Sequence, residues 1–225
     1  MEPVLALHGL EQTGEVWRAV RAAAPDQWLI TPDLRGRGEV AHLGGPYGID
    51  QHVTDVVDLL DEHGLEQVHV LGLSLGGFIG VALADRHPDR VRSLVLVDGG
   101  PPMVVPPGLT AENLPQVYAT RSEAVVADAM DVFFRDHPLD RVLTTHPVRF
   151  LRAQWGIGPD VPPAYGDERV AQLRAGGLDV TEVDGVDHDG IVTTATGARA
   201  VAQALRSATM SPWPISSGRR TAPPR

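Results

Sequence analysis

A serine in a glycine-rich pattern is the residue of this sequence that most clearly points to chemistry. Residues 72–76 read Gly-Leu-Ser-Leu-Gly, which matches the pattern G-x-S-x-G. An apolar strand-like run precedes it and an apolar helical stretch follows it, so Ser74 falls at a strand–turn–helix junction. Such a junction presents a serine hydroxyl as a nucleophile. A glycine-rich turn with an incidental capping serine, or a phosphate cradle at a helix N-terminus, would give the same short pattern.

A nucleophilic serine needs a base, and His188 is the strongest candidate among nine histidines. It lies within residues 184–190, Asp-Gly-Val-Asp-His-Asp-Gly, directly after the last predicted strand. Loops that follow parallel strands share one edge of the sheet, where ligands bind. His8 follows the first strand on the same edge, but its glycine neighbour indicates a different use. His52 falls on a predicted helix, where we expect a surface or capping role.

The third member of such a triad is a carboxylate that orients the imidazole and stabilises its charge. Asp160 follows the fifth predicted strand, and Asp98 ends the fourth. Both residues would reach the edge of the sheet that carries Ser74, and both satisfy the chain order Ser, Asp, His. The residues by themselves therefore leave the choice between these two acids open.

Residue types that the chain lacks restrict the chemistry further. It has 225 residues with no cysteine and no lysine, so all 19 of its basic residues are arginines. Disulfides, zinc–thiolate sites, thiol nucleophiles, lysine Schiff bases and a complete P-loop are excluded. The formal net charge of −10 disfavours a nucleic-acid partner.

The apolar runs of the chain are short. None of them approaches the roughly 20 residues that span a bilayer, and the N-terminus lacks the basic start and apolar stretch of a signal peptide. We therefore expect a cytoplasmic protein without a membrane partner, acting on a small molecule with no cofactor or metal.

Alternating strand and helix patterns must position these residues. Apolar runs predict strands at 4–7, 28–31, 68–73, 94–97, 148–153 and 180–183. Helical periodicity and capping residues predict helices at 16–24, 51–63, 75–86, 122–134, 167–175 and 192–205. The alternation predicts an α/β fold, a doubly wound and mostly parallel sheet of about six strands with helices on both faces.

Two segments depart from this alternation. Residues 99–147 separate the fourth and fifth strands by too much chain for one crossover helix, so we expect an inserted helical lid. Its apolar side chains should line a pocket for a small apolar substrate, and they are Leu114, Val117, Tyr118, Met130, Phe133 and Phe134. Residues 207–225 are rich in Ser, Pro and Arg and are expected to form a disordered tail. One domain over residues 1–206 remains.

Taken together, the motifs resemble the α/β-hydrolase family, of the small esterase, lactonase and C–C hydrolase type. The stretches that carry the resemblance are His8-Gly9-Leu10, residues 32–38, residues 72–77 and residues 183–189. The resemblance implies the strand order 2-1-3-4-5-6 and an oxyanion hole formed by the backbone N–H groups of Leu10 and Leu75. It favours Asp160 over Asp98 as the acid, although Gly156 and Asp160 are one residue further apart than in the family's common pattern.

The family resemblance also implies an antiparallel strand pair before the first strand, which here begins at Val4. Either those strands lie upstream of this sequence or the sheet is shortened, in which case apolar surface is exposed near one edge.

The resulting hypothesis is a serine hydrolase. Ser74 attacks an acyl carbonyl, His188 accepts its proton, Asp160 orients His188, and water cleaves the acyl-enzyme. The substrate class is a small, mainly apolar ester, lactone or related acyl compound. Two alternatives are a cofactor-free haloperoxidase or perhydrolase that uses the same triad, and a non-catalytic small-molecule-binding member of the same fold.

Overall fold

A six-stranded, fully parallel sheet forms the centre of the protein in a computed structural model that describes residues 1–210. The strands follow the order β2-β1-β3-β4-β5-β6, which confirms the predicted fold class and strand order. They are β1 (Pro3–Leu7), β2 (Trp28–Ile30), β3 (Val68–Leu73), β4 (Val91–Val97), β5 (Val148–Ala153) and β6 (Asp179–Val183).

The helices are α1 (Arg18–Ala23), α2 (Ile49–Glu62), α3 (Leu75–Arg86), α4 (Leu114–Val117), α5 (Glu123–Phe134), α6 (Leu139–Leu143), α7 (Asp167–Ala175), α8 (Gly190–Thr193) and α9 (Ala195–Met210). All six predicted helices are present close to their predicted ranges, and two short helices without predicted ranges, α4 and α6, lie in the lid segment. Two boundaries differ from expectation. Helix α2 begins at Ile49, ahead of its predicted start, so that Asp50 lies in its first turn and pairs with Arg86 and Arg135. The predicted helix 192–205 is divided into α8 and α9 at Thr194.

Successive residues of the strands face two separate hydrophobic cores. Leu5 and Leu7 of β1 pack in one core with α2 and α3, whereas Val4 and Ala6 pack in the other with α1 and α9. Because side chains alternate along a strand, a sheet covered by helices on both sides must be apolar at every position. All six residues of β3 are accordingly buried.

Helix α3 is buried nearly all round, as its apolar sequence predicts. Every residue from Leu75 to Ala84 is buried. The helix lies against β1, β3 and β4 and is covered by α2, α5 and α6. It therefore has a fixed position between the sheet and the segment that connects β4 to β5.

The insertion after β4 packs against the main body of the fold. It contains α4, α5 and α6, and α5 begins at Ser122, whose hydroxyl accepts a hydrogen bond from Val125 N at 3.3 Å. Val132 and Val142 belong to the same hydrophobic core as α2 and α3. The lid helices are therefore attached to the fold by apolar contacts as well as by the chain.

One edge strand of the sheet and the C-terminal helix bear on two expectations from the sequence. Strand β2 is a short strand at one edge of the described sheet, and its Trp28 is 46% exposed. Residues 207–210 continue α9, so the tail was predicted to begin too early. The rest of the predicted tail, 211–225, lies outside the described residues. No helix within residues 1–210 has both the length and the apolar character to cross a membrane.

Gly76 allows the close approach of α3 to β1, since a Cβ at this position would collide with the backbone carbonyl of Leu7. We expect Gly76→Ala to lower the free energy of unfolding by about 3 kcal/mol, because neither backbone can yield without distorting the sheet. Gly44→Ala is the control, since a Cβ there meets nothing within 4 Å, and its effect should stay below about 0.5 kcal/mol. Urea unfolding of both variants checks this, and equal stabilities would contradict it.

Candidate active site

Ser74 sits in the sharp turn between β3 and α3. Its backbone has φ 50° and ψ −117°, a conformation that a residue with a side chain rarely adopts. Ser74 N donates to Val97 O at 3.0 Å, and Gly76 N donates to His8 O at 3.1 Å. The turn is thereby fixed to the ends of both neighbouring strands. Ser74 is also the one partly exposed residue between positions 68 and 84, so the strained turn presents its side chain outward.

The loop after β6 brings His188 to the same edge of the sheet. His188 N donates to Gly156 O at 3.0 Å, which ties this loop to the loop after β5. Its Nδ1 lies 2.6 Å from Asp98 Oδ2. The side chain is 17% exposed, so most of the imidazole is shielded from water.

Asp98 directly follows β4 and points its carboxylate at His188. It has a positive φ of 45°, and its side chain is fully buried. Asp98 Oδ1 accepts from Ala153 N at 3.2 Å, which leaves Oδ2 for the imidazole. Because a carboxylate oxygen accepts, Nδ1 of His188 carries the proton and Nε2 keeps its lone pair.

The charge of Asp98 changes the acidity of His188. Burial lowers the pKa of His188, but the hydrogen bond and the negative charge of Asp98 outweigh it, so the pKa lies above its ordinary value. Asp189 and Asp187 act in the same direction. The protonated imidazole is therefore stabilised, as a group that accepts a proton during a reaction requires.

The structure does not bring Asp160 to His188, and this corrects the preference for Asp160. Asp160 is exposed at the tip of a tight turn with a φ of 65°. Gly156 N donates to Val161 O at 2.8 Å and closes this turn. The longer spacing after Gly156 thus forms a loop that projects the carboxylate into solvent, and the imidazole pairs with Asp98 instead.

The backbone around Leu10 lies beside the serine. A Cβ on Gly9 would lie 3.4 Å from Ser74 Cβ. Gly9 O accepts from the ring Nδ1 of His8 at 2.8 Å. Since C=O and N–H of a trans peptide point in opposite directions, Leu10 N–H points away from His8. Within residues 1–210, neither Leu10 N nor Leu75 N donates a hydrogen bond to the protein, so both remain available to a ligand.

His8 supports this loop from inside the fold. It is completely buried, and its Nε2 accepts from Leu34 N at 2.9 Å while its Nδ1 donates to Gly9 O. Burial lowers the pKa of His8 to about 4, against an opposing effect of the Gly9 hydrogen bond. The ring is therefore neutral, as its accepting Nε2 requires.

Gln12 links the loop after β1, which carries Leu10, to the loop of His188, and the sequence pattern did not single it out. Its Oε1 accepts from Gly9 N at 3.0 Å, and its Nε2 donates to Asp189 Oδ1 at 2.7 Å. No hydrogen bond joins Ser74 Oγ directly to His188 within the described part of the chain. The Gln12 amide therefore holds the Leu10 loop, not the serine turn, next to the loop of His188.

Tyr165 and Arg169 hold the segment that follows Asp98. Tyr165 is fully buried and donates to Pro101 O at 2.8 Å, and Arg169 donates to Pro102 O at 2.8 and 3.0 Å. These carbonyls follow a pair of glycines, so the backbone there depends on external partners. The sequence signal for this contact was a tyrosine between the fifth predicted strand and the helix that follows it, since a buried tyrosine hydroxyl needs an acceptor.

The lid side chains divide between the interior and the surface. Leu114 is buried and Tyr118 is partly buried, whereas Val117 is 63% and Phe134 is 38% exposed. The latter two therefore do not form the enclosed apolar wall that the sequence predicted. Arg121 pairs with Glu11 at 2.9 Å, which places the lid next to the residue that follows Leu10. No cluster of three or more potential metal ligands occurs among residues 1–210.

Comparisons with known proteins point to one family. The family model for the alpha/beta hydrolase fold matches residues 2–138, more than half of the chain. The lipase LipV of Mycobacterium tuberculosis is 37% identical over 95 residues, which are 42% of this chain and 36% of the lipase. Other curated relatives are matched over 34 to 49% of their own length. The chain thus aligns with less than half of each of these relatives.

Solved structures resemble the chain over nearly its whole length. An esterase from Thermogutta terrifontis has a TM-score of 0.70 at 22% identity. The match covers 93% of this chain and 90% of the esterase. A bromoperoxidase from Bacillus anthracis has a TM-score of 0.73 at 19% identity, covering 93% and 92%. At these identities the likeness concerns the fold.

The buried neutral state of His8 predicts a pH-dependent stability. Its folded pKa of about 4 is below the ordinary 6.5, so its contribution is present above pH 6.5 and lost as the pH falls towards 4. The loss is about 3 kcal/mol at 1.4 kcal/mol per pKa unit. His8→Gln keeps an acceptor for Leu34 N but cannot titrate. Urea unfolding between pH 7.5 and 4 should show the wild type losing this much more stability than the variant, and parallel curves would refute it.

Proposed function

Because the chain belongs to the α/β-hydrolase family, we propose that it is a serine hydrolase that cleaves small, mainly apolar acyl compounds through an acyl-enzyme. Ser74 is the nucleophile, His188 the base and Asp98 the acid that orients it. The observation that carries the proposal is the 2.6 Å contact between Asp98 Oδ2 and His188 Nδ1 at the edge of the sheet where Ser74 is presented. The lipase and the esterase among the similar proteins support an ester as the substrate.

The proton moves along one path in this mechanism. Ser74 Oγ attacks the acyl carbonyl as its proton passes to Nε2 of His188. The Nδ1–H of His188 remains hydrogen-bonded to Asp98 throughout. The imidazolium then gives its proton to the leaving group. Water attacks the acyl-enzyme with His188 again as base. Hydrogen bonds between such a serine and its base are often long before substrate binds and tighten in the complex.

The charge that develops on the carbonyl oxygen is stabilised by backbone groups. Leu10 N–H and Leu75 N–H donate to this oxygen, and each donor of this kind contributes about 3 kcal/mol in the transition state. Leu75 begins α3, so the positive end of that helix dipole adds to its effect. Since both donors belong to the backbone, the leucine side chains do not determine the reaction.

The substrate class follows from the surroundings of the serine. Partly buried apolar side chains near the site, Leu10 among them, pack against the main core. Tyr118 of the lid is half-buried near Glu11, and burial followed by the charge of Glu11 raises the pKa of its hydroxyl. Because the loop beside Ser74 carries an apolar Leu10 and an acidic Glu11, we take a short neutral acyl group as a better substrate than an anionic one.

Ser74→Ala tests the nucleophile. With p-nitrophenyl acetate and butyrate, the variant should lose at least about a thousandfold in kcat/KM, because the remaining groups bind the ester without forming an acyl-enzyme. The wild type should also be labelled covalently by a fluorophosphonate, and the variant should not. Equal turnover by both proteins would refute the assignment. Ligand binding with no turnover would favour a non-catalytic member of the fold, and peroxide-dependent bromination would favour a haloperoxidase.

A comparison of Asp98→Asn with Asp160→Asn tests the acid. Asp98→Asn should lower kcat by roughly 10⁴-fold, because an amide at this position lets the imidazole adopt the wrong tautomer. Asp160→Asn is the matched control, and since its side chain is exposed the kcat should stay within about twofold, as befits a surface change. Steady-state kinetics with p-nitrophenyl butyrate measure both, and a larger loss at Asp160 would reverse the assignment.

A further inference from the structure

A buried ionic cluster lies between the lid and the backbone beside Ser74. Its members are Arg37, in the loop after β2, Asp128 of α5 and His52 of α2. All three are buried. Arg37 Nη1 lies 2.6 Å from Asp128 Oδ2, and His52 Nε2 lies 3.0 Å from the same oxygen. His52 is therefore an interior residue, contrary to the expectation of a surface or capping role.

Arg37 also holds the residue that supplies one candidate oxyanion donor. Its Nε and Nη2 both donate to Leu10 O, at 3.1 and 3.0 Å. The peptide group after Leu10 is therefore fixed by Arg37, while the peptide group before it is fixed by His8 through Gly9 O. The direction of Leu10 N–H depends on both of these restraints, since the two planar peptides flank the same Cα.

Asp128 keeps the guanidinium in place from the lid side. Its Oδ2 meets Arg37 and His52, and its Oδ1 accepts from Gly48 N at 2.8 Å. Without Asp128, Arg37 would carry a buried charge with only carbonyl acceptors, the Leu10 and Arg35 oxygens. An uncompensated buried charge moves towards water where it can. The guanidinium would then no longer donate to Leu10 O.

We propose that Asp128 and Arg37 are positioning residues through which the lid helix α5 sets the orientation of Leu10 N–H. This inference rests on the proposed function for its catalytic consequence. The oxyanion hole is fully formed only when α5 is seated against α2, so lid placement and transition-state stabilisation are coupled. Neither residue is asked to touch the substrate.

Asp131 provides a control on the same helix. It lies one turn after Asp128, and its Oδ2 accepts from Ile49 N at 2.8 Å, much as Asp128 accepts from Gly48 N. Its cationic neighbour is Arg135 rather than Arg37. Asp131→Asn thus weakens the same lid-to-α2 junction without affecting the support of Leu10.

The first experiment measures turnover of p-nitrophenyl butyrate by Asp128→Asn, Arg37→Gln, their double variant and Asp131→Asn. We expect each of the first three to lose about 10- to 100-fold in kcat with KM within about twofold, since oxyanion donors act in the transition state. The double variant should lose no more than Arg37→Gln does, because Asp128 acts through Arg37. It also removes both buried charges, which guards against loss of folding. Asp131→Asn should keep the wild-type kcat.

The second experiment requires no turnover. Amide hydrogen exchange, read by NMR, should be about tenfold faster at Gly9 and Gln12 in Asp128→Asn and unchanged in Asp131→Asn, because those amides close the Leu10 loop. If exchange responds in this way but the wild type has no Ser74-dependent turnover, the proposed hydrolase function fails and the positioning role stands. If turnover depends on Ser74 but Asp128→Asn behaves like Asp131→Asn in both experiments, the positioning role is overturned.

Discussion

The close packing of α3 against the carboxyl ends of β1 and β4 is the constraint on which the rest of the site depends. Gly76 and Gly77 have no side chains to keep the helix away from Leu7 and from the segment after Asp98. The chain between β3 and α3 must therefore reverse within one residue, and Ser74 takes the positive φ that this requires. Strain of this kind persists only where the surroundings over-determine it. Here the conformation of Ser74 is maintained by the hydrogen bonds to the ends of both neighbouring strands and by the buried position of α3.

Two buried carboxylates organise the groups around this turn. Asp98, directly after β4, contacts His188, and Asp128, on helix α5 of the lid, contacts Arg37. Each carboxylate also accepts a backbone N–H, from Ala153 and Gly48 respectively, so both of its oxygens are used. Burial of a charge is costly unless it is paired and hydrogen-bonded, and these pairs meet that condition. Their side chains have little freedom to move, as an arrangement that must stabilise charge during a reaction requires.

The insertion after β4 connects to the fold in two different ways. Apolar side chains of α5 and α6 share the core of α2 and α3, which holds the helices in place. Polar contacts from Asp128 and Asp131 then define how α5 meets the start of α2. Substitutions on the apolar side of these helices and at Asp131 are expected to act on stability alone, whereas substitution of Asp128 also affects the loop beside the serine through Arg37. The lid is thus part of the domain in which the site is built.

The sequence by itself determined the sheet, its helices and the position of Ser74, because strand and helix periodicity and the glycine-rich turn are local properties of the chain. It placed His188 on the correct edge, since every loop after a parallel strand lies there. The residues left the choice between Asp98 and Asp160 open, and the family resemblance favoured Asp160, because the two acids follow adjacent strands and the outcome depends on where each loop carries its carboxylate. Only the tertiary structure decided this. The longer turn from Gly156 to Val161 projects Asp160 into solvent, whereas the positive φ of Asp98 and the N–H of Ala153 aim the other carboxylate at the imidazole. The contact of Arg37 with Asp128 likewise joins residues 91 positions apart in the chain, and no local pattern records such a pair.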